Sequence, residues 1–155
     1  MFKNVKSGWY KILNPEKFVK PLDEYMKSYK DGHVNYKSSL ELAGVRYADF
    51  NKHIVKWSLE PFAIKYVKPS DGKKHRYYID MFIEFKTGEK FLVEIKPKSQ
   101  TVPPAKPKKN TQKNQMNYQK ALMTYHINSA KWKAAREFAK INNMRFIILT
   151  EEHLK

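Results

Sequence analysis

The stretch from His75 to Lys98 constrains the fold of this chain more than any other. It contains two runs rich in apolar, aromatic and β-branched residues, 75–85 and 91–98, separated by a short segment that contains Gly88. Two such runs joined by a glycine-containing turn predict a β-hairpin. Side chains alternate between the two faces of a strand. One face of the hairpin is therefore predicted to be apolar, with Met81, Ile83, Phe85, Val93 and Ile95.

The other face of the predicted hairpin carries two acids and a lysine. Asp80 lies in the first run, and Glu94 and Lys96 lie in the second. Two carboxylates can hold a hard divalent cation, and a neighbouring ammonium can stabilise the oxygen that is attacked or released. Because an unpaired buried carboxylate is unfavourable, Asp80 among aromatic neighbours favours a metal ligand. Glu94 and Lys96 have a second interpretation, as an ion pair on an exposed edge.

These residues resemble the core motif of the PD-(D/E)xK nuclease superfamily, with Asp80 and Glu94-Ile95-Lys96 at the matching positions. Further stretches extend the resemblance to the head completion nucleases of T-even-like bacteriophages: Asn14-Pro15-Glu16-Lys17-Phe18-Val19, Tyr36-Lys37-Ser38-Ser39-Leu40-Glu41, and Glu94-Ile95-Lys96-Pro97-Lys98 followed by Pro103-Pro104. Ile79 stands where the superfamily usually has a proline before the aspartate. That proline is not a ligand, so its loss weakens the motif more than the chemistry.

The resemblance implies an α/β fold with a mixed central β-sheet flanked by helices, as in restriction endonucleases. The predicted order of helix, strands, hairpin, helices and strand agrees with it. The resemblance also implies DNA hydrolysis with Mg²⁺, or Mn²⁺ in its place, held by Asp80, Glu94 and the carbonyl of Ile95. Lys96 would orient the attacking water or stabilise the developing charge. The implied substrate is packaged double-stranded DNA. The implied protein partners are portal or head-completion proteins of the capsid. The implied location is the infected-host cytoplasm or the virion.

The first predicted helix begins after Ser38 and extends to about Ile54. Ser38 and Glu41 have the spacing of a capping box. The predicted buried stripe of this helix consists of Leu40, Ala43, Tyr47, Phe50 and Ile54. Glu41 therefore has two interpretations. It is a cap residue, or, as the resemblance implies, it is an acid that reaches the metal directly or through water.

The charge of the chain predicts a polyanionic partner. Lys and Arg number 31 against 15 Asp and Glu, which gives a net charge of +16 in 155 residues. Such a field favours a phosphate backbone, because binding releases the counterions of the backbone. The predicted DNA contacts are His75, Arg76, Lys98, Lys106, Lys108, Lys109 and Lys113. The prolines of residues 97–113 predict an extended basic loop, with a solvated loop that binds nothing as the alternative.

Residues 1–34 are predicted to form an irregular arm, and residues 35–155 the nuclease-like domain. Glycines and prolines interrupt the arm at Gly8, Pro15, Pro21 and Gly32. Its aromatic residues are Phe2, Trp9, Tyr10, Phe18, Tyr25 and Tyr29. These rings either stack on nucleic acid or, as we favour, fasten the arm to the domain.

The remaining segments predict further elements of the sheet and its helices. Residues 57–61 predict a turn and residues 62–67 a strand. A helix is predicted from about Gln112 to Tyr125, followed by a second helix capped by Asn128 or Ser129. The resemblance suggests Gln115 or Gln119 as an auxiliary site residue. Residues 144–150 predict a strand buried on both faces.

Several classes of function are disfavoured by what the sequence lacks. The chain has no cysteine, which excludes disulfides, thiolate zinc sites and thiol catalysis. It shows no glycine-rich phosphate loop and no apolar run that could span a bilayer, so neither a nucleotide cofactor nor a membrane partner is predicted. The alternatives to a nuclease are a non-catalytic component that binds DNA ends or a connector, and a sequence-specific or transposon-type endonuclease subunit. The last of these would need room for a recognition domain.

Overall fold

A computed structural model of the protein describes residues 7–22 and 27–154. The strands are β1 (Gly8–Lys11), β2 (Tyr29–Lys30), β3 (His33–Tyr36), β4 (Ile54–Leu59), β5 (Ala63–Val67), β6 (Lys74–Tyr78), β7 (Met81–Phe85), β8 (Lys90–Ile95) and β9 (Arg145–Leu149). The helices are α1 (Ser39–Phe50) and α2 (Gln112–Ile141), with 3-10 turns at Pro15–Lys17 and Lys98–Gln100. Within the described ranges, neither helix combines the length and the apolar character that a bilayer crossing requires.

The central sheet has the strand order β4-β7-β8-β9. β8 and β9 are parallel, and the other neighbours are antiparallel. The sheet separates two apolar cores, one shared with α1 and the other with α2. Met81 and Val93 face the α1 side, while Leu92 faces the α2 side. A mixed sheet between helices confirms the predicted α/β fold class.

The predicted hairpin is confirmed for β7 and β8, but its first strand is shorter than predicted. Gly88 adopts a φ of +90° in the connecting turn, a conformation that glycine tolerates best. The chain bends at Asp80, so β6 leaves the central sheet and pairs with β5 in a separate two-stranded sheet, the β5–β6 ribbon (63–78). The bend lets the Asp80 carboxylate accept a hydrogen bond from the backbone N–H of Ile95 at 2.8 Å. This link explains why the strand breaks there.

The described part of the predicted irregular arm contains the short strands β1 and β2 and the start of β3, separated by segments without strands. β1, β3 and β2 form an antiparallel sheet in that order. Phe18 stacks on Tyr29 at 5.1 Å between ring centroids and meets Trp57 edge-on at 4.9 Å. These contacts support fastening as the role of the described rings, although Trp9 remains 49% exposed. Phe2 and Tyr25 lie outside the described residues, and the boundary at residue 34 stays a prediction.

The segment that begins at Asn14 holds the C-terminal end of α1. The buried Asp49 carboxylate accepts hydrogen bonds from the Tyr10 hydroxyl at 2.6 Å and from the backbone N–H of Leu13 at 2.9 Å. The Lys17 ammonium donates to the carbonyl oxygens of Asp49 at 2.8 Å and Asn51 at 2.9 Å. A cation at a helix C-terminus satisfies free carbonyls and interacts favourably with the helix dipole. The Asn14 motif therefore has a structural role at the end of the helix that carries Glu41.

Replacing Lys17 with Met is expected to lower the free energy of unfolding by about 1–2 kcal/mol, because two hydrogen bonds from a charged donor are lost. Urea denaturation measures this change. Lys52→Met removes an exposed lysine next to the same helix end and is the matched control. Equal destabilisation by the two substitutions would contradict the structural role of Lys17.

The buried face of α1 differs from the predicted stripe. Leu40 is buried as predicted, but Tyr47 and Phe50 are 38% and 59% exposed. Gly44 lies on the buried face instead, where a Cβ atom would stand 2.5 Å from Cδ1 of Ile95. The absence of a side chain therefore lets the helix approach β8 closely. Periodicity alone could not reveal this, because a glycine gives no apolar signal.

The predicted pair of C-terminal helices is one continuous helix, α2, of 30 residues. The predicted break was wrong because neither candidate cap residue caps. Asn128 is buried within the helix, and the Ser129 hydroxyl donates back to the carbonyl of Tyr125 at 2.9 Å. Such a bond to the preceding turn is compatible with continued helix. Trp132 and Ala135 then pack on the central sheet.

Two predicted strands also change in extent or burial. Residues 57–59 were predicted to turn, but they belong to β4, which begins at Ile54, the residue predicted to end the first helix. β9 confirms the strand predicted near the C-terminus. Ile147 and Ile148 contact the two cores on opposite faces, but both side chains are only half-buried because β9 is an edge strand of the sheet.

Candidate active site

Four carboxyl groups meet where the β7–β8 hairpin, α1 and β4 converge. Asp80 precedes β7, Glu94 lies near the end of β8, and Glu41 lies in the first turn of α1. Glu60 directly follows β4. Burial raises the pKa of both Glu41 and Asp80, and the neighbouring acids raise them further: Glu60 and Glu94 act on Glu41, and Glu94 and Glu41 act on Asp80. The structure therefore brings together the three acids that the sequence singled out and adds a fourth.

Asp80 is held on both its side chain and its backbone. Its carboxylate accepts from the Ile95 N–H at 2.8 Å, and its carbonyl accepts from the Glu60 N–H at 2.7 Å. Burial, followed by the nearby Glu94 carboxyl, raises the pKa of Asp80 well above its usual range. The two carboxyls are within hydrogen-bonding reach of each other. A divalent cation between them would offset this repulsion and favour the ionised form of Asp80.

Glu94 is buried and held by α2. The Trp132 indole N–H donates to Oε2 of Glu94 at 2.7 Å. The hydroxyl of Tyr77, at the end of β6, lies beside Glu94 and Asp80, whose charges raise its pKa after the larger effect of burial. This hydroxyl is buried and makes no well-formed hydrogen bond with a described residue. It is therefore available to a water molecule at the acids.

Glu41 lies in the first turn of α1, next to the cap residue Ser38, and its carboxyl lies near the other acids. Its backbone N–H donates to Oγ of Ser38 at 3.1 Å, which confirms the cap at the start of α1. Its carboxyl is tied to the backbone of Lys37 and also lies near the other acids. Burial, followed by Glu60, raises the pKa of Glu41 to about 7. The cap fixes the helix start and so directs this carboxyl toward the acids, but its contact with a metal stays a prediction.

In the predicted turn at residues 57–61, Glu60 has two sequence interpretations, a solvated residue, which we favour from sequence, or a carboxylate that points at the site, and its burial contradicts the solvated position. Its side chain is 13% exposed and forms an ion pair with Lys37 at 3.4 Å. Its φ is +47°, an unusual conformation for a residue other than glycine. Such conformations often mark functional sites. The sequence signal that could have indicated it is its position between a strand and Pro61.

The donor set suits a hydrated hard cation. Within the described residues, no group of three or more His, Cys, Asp or Glu side chains is arranged to hold a metal by itself. Mg²⁺ commonly keeps several waters and is bound through one or two carboxylates. Asp80 and Glu94 would supply such oxygens, and the buried Tyr77 hydroxyl lies beside both carboxyls. The Ile95 carbonyl remains a predicted ligand.

Lys96 continues the line of β8 past its last assigned residue. Its backbone N–H donates to the Leu149 carbonyl at 3.0 Å, so the pairing with β9 extends through it. The alternation of side chains then places Lys96 on the face that carries Glu94. Its charge contributes to lowering the pKa of Lys131. The two ammonium groups therefore interact electrostatically.

Lys131 on α2 was not predicted as a site residue. Its Nζ lies 5.7 Å from the ring centroids of both Tyr66 and Tyr77. Burial lowers the pKa of Lys131, while the charge of Glu94 acts in the opposite direction. No described carboxylate lies within ion-pair distance of this ammonium. The sequence offered no signal for it, since it is one of several lysines on a basic helix.

Two predicted auxiliary residues lie away from the acids. Gln115 and Gln119 are 17 and 13 residues before Trp132 on α2, which corresponds to about 25 and 20 Å along the helix axis. Gln115 instead donates from Nε2 to the side chain of Asn110. With the predicted break near Asn128, the distance of Gln115 and Gln119 from Trp132 could not be estimated, whereas the continuous helix fixes it.

The predicted DNA contacts divide into engaged and exposed side chains. The Lys98 ammonium donates to Glu152 at 2.8 Å, and this contact raises the pKa of Lys98. His75 lies on the β5–β6 ribbon with Nε2 2.7 Å from Oδ2 of Asp71. The members of the set that are exposed and form no ion pair with a described residue are Arg76, Lys106, Lys108, Lys109 and Lys113. Their contact with DNA stays a prediction.

The chain is similar in sequence to known nucleases. A family profile described as TnsA-like endonuclease N terminal matches residues 51–151. That range includes Asp80, Glu94 and Lys96 and leaves out Glu41. The head completion nuclease of Enterobacteria phage T4 is 35% identical over 122 residues, which are 79% of this chain and 81% of that protein.

Proposed function

This chain belongs to the family of TnsA-like endonuclease N-terminal domains, and we propose that it is a head completion nuclease that hydrolyses phosphodiester bonds of double-stranded DNA. The observation that carries the proposal is the pairing of the Asp80 and Glu94 carboxyls on the face that also carries Lys96. The net charge of +16 supports a polyanionic substrate.

We further propose Mg²⁺ as the cofactor, with Mn²⁺ able to replace it. Asp80 and Glu94 would hold the cation, and Glu41 would reach it directly or through water. The bound cation would acidify a water molecule and neutralise charge on the phosphoryl oxygens. The protein holds its own ligands in advance of binding, because the Ile95 N–H fixes Asp80 and the Trp132 indole fixes Glu94.

The two lysines have separate roles in this proposal. Lys96 donates hydrogen bonds to the attacking water and orients it towards phosphorus. Lys131, whose ammonium forms no ion pair with a described carboxylate, donates to a non-bridging oxygen of the scissile phosphate. Cations that are already in position stabilise the negative charge that develops in the transition state, and so lower the activation free energy.

In a phage, the proposed activity would trim the end of the packaged DNA before the tail joins the head, or the bound protein would protect that end. Portal or other head-completion proteins of the capsid would then be its partners, and the infected-host cytoplasm or the virion its place of action. The relatedness to a head completion nuclease supports this assignment.

Cleavage of supercoiled plasmid and of linear duplex tests the proposed function. We expect cleavage with Mg²⁺ or Mn²⁺ and none after EDTA, because Asp80 and Glu94 alone do not acidify water. Ca²⁺ is expected to support DNA binding with little cleavage, so binding is measured in Ca²⁺ in parallel.

Cleavage that persists in EDTA would contradict the metal assignment. Tight binding of duplex without cleavage in any of the metals would contradict the nuclease proposal and favour the alternative, a non-catalytic component that binds DNA ends. The two failures are distinguishable because binding and cleavage are recorded on the same DNA.

A further inference from the structure

The β5–β6 ribbon is a separate two-stranded sheet that leads directly to Asp80. Its strands pair only with each other in the described sheet topology, with Lys65 opposite Arg76 and Val67 opposite Lys74. β6 continues through Ile79 directly to Asp80. One end of the ribbon is therefore fixed at the candidate active site.

The inner face of the ribbon anchors it to α2. Ile64, Tyr66 and Tyr77 are buried in the core that includes Trp132. Lys131 from α2 lies over both tyrosine rings. A ribbon mounted in this way presents its outer face in a fixed orientation relative to the acids.

The outer face of the ribbon is a row of exposed cations. Lys65 and Arg76 are directly opposite each other, and like charges in this arrangement are destabilising. Lys74 lies two residues from Arg76 on the same strand and is also exposed. None of these three forms an ion pair with a described residue. Asp71, the single acid in residues 63–78, already contacts His75.

The dimensions of the ribbon match a stretch of duplex. A five-residue strand extends about 17 Å, which corresponds to about five base pairs. Residues two apart on one strand face are about 7 Å apart, or about two base-pair steps. A row of unpaired cations at this spacing is suited to a row of backbone phosphates, whose binding would relieve the repulsion between Lys65 and Arg76.

We propose that Lys65, Lys74 and Arg76 on the outer face of the β5–β6 ribbon bind the backbone phosphates of duplex DNA on one side of the cut. This inference rests on the proposed nuclease function, since it takes the cut as the reference point. Because β6 leads through Ile79 to Asp80, the ribbon would then align the duplex relative to the acids.

The test compares two double variants that remove the same charge. K65Q/R76Q alters the ribbon, and K86Q/K90Q alters exposed lysines at the turn between β7 and β8, at the opposite end of these strands from the acids. Dissociation constants for a 30-base-pair duplex are measured in Ca²⁺ across a salt series. Urea denaturation verifies that both variants are folded.

For K65Q/R76Q we expect about tenfold weaker binding at 0.1 M salt, and a decrease of about 2 in the slope of log K against log salt, because two phosphate contacts are lost. Cleavage with Mg²⁺ should show a raised KM and an unchanged kcat. For K86Q/K90Q the affinity and the slope should stay as in the native protein.

Equal effects of the two double variants on affinity and slope would overturn the ribbon proposal, since net charge alone would then explain binding. An unchanged slope for K65Q/R76Q would overturn it as well. Because the salt series requires no cleavage, the ribbon is tested even if the native protein fails to cut, which is the outcome that contradicts the proposed function.

Discussion

Asp80→Asn is expected to reduce DNA cleavage by at least about 10³-fold, or about 4 kcal/mol, while the affinity for duplex in Ca²⁺-free buffer stays within about twofold. The amide keeps an oxygen that can accept the Ile95 N–H, so the bend before β7 is preserved. What the substitution removes is the charge that would hold the cation together with Glu94. Single-turnover cleavage in Mg²⁺ and parallel binding assays measure the two effects.

The same substitution is expected to stabilise the protein when divalent cations are removed. Burial and Glu94 raise the pKa of Asp80, so the native state binds a proton that the unfolded state releases. This group therefore lowers stability as the pH rises above about 4, the unfolded value, and the full effect is reached above the raised native pKa. In EDTA, Asp80→Asn should have a higher free energy of unfolding than the native protein at pH 8, with a smaller difference at pH 5.

Mg²⁺ should reverse this order, because a ligand that binds the native state stabilises it and the variant has lost one donor. Glu84→Gln is the matched control, since Glu84 lies on β7 opposite Lys90 and away from the four acids. It should leave cleavage and the response to Mg²⁺ unchanged. An Asp80→Asn protein that cuts normally, or gains stability from Mg²⁺ as the native protein does, would refute the assignment of Asp80.

The residues of the site that the sequence predicted share a recognisable local pattern. Asp80 and Glu94 are acids within apolar strands, and the spacing of Glu94 and Lys96 places both on one strand face. Glu41 stands at a helix start that its capping serine marks. Each of these signals depends only on residues that are close in sequence, so it can be recognised from the sequence alone.

The parts that the sequence missed depend on contacts between distant segments. Glu60 becomes a site residue because its backbone N–H bonds to Asp80, 20 residues away. Lys131 becomes one because α2 runs unbroken past Asn128 and carries it to the rings of Tyr66 and Tyr77. Neither contact leaves a periodic or compositional trace.

The separate β5–β6 ribbon is a feature of the fold that the sequence pattern also did not reveal. Residues 75–85 alternate like one strand, and a bend at Asp80 does not interrupt that pattern. The break follows from a hydrogen bond between the Asp80 side chain and β8, which competes with regular pairing. Sequence therefore predicted the hairpin and its acids, while the separation of β6 required the three-dimensional contacts.

Lys96→Met and Lys131→Met are expected to separate the roles of the two cations. At saturating DNA and Mg²⁺, Lys96→Met should lower the single-turnover rate by about 10²-fold, because the attacking water loses the group that orients it. Lys131→Met should lower the rate by about tenfold, or about 1.4 kcal/mol, because one interaction with the phosphate oxygen is lost. Methionine retains contact with the rings of Tyr66 and Tyr77 through its polarisable sulfur.

The exposed Lys133 on the same helix is the control for loss of a positive charge, and Lys133→Met should leave the rate unchanged. If Lys131→Met behaves like Lys133→Met, the ammonium between the two tyrosines has only a structural role. If Lys131→Met and Lys96→Met are both slowed by about 10²-fold, and the double variant is no slower than either, the two lysines act on one group as a unit. Additive effects would instead place Lys96 on the water and Lys131 on the phosphate, as the separation of β8 and α2 around Glu94 leads us to expect.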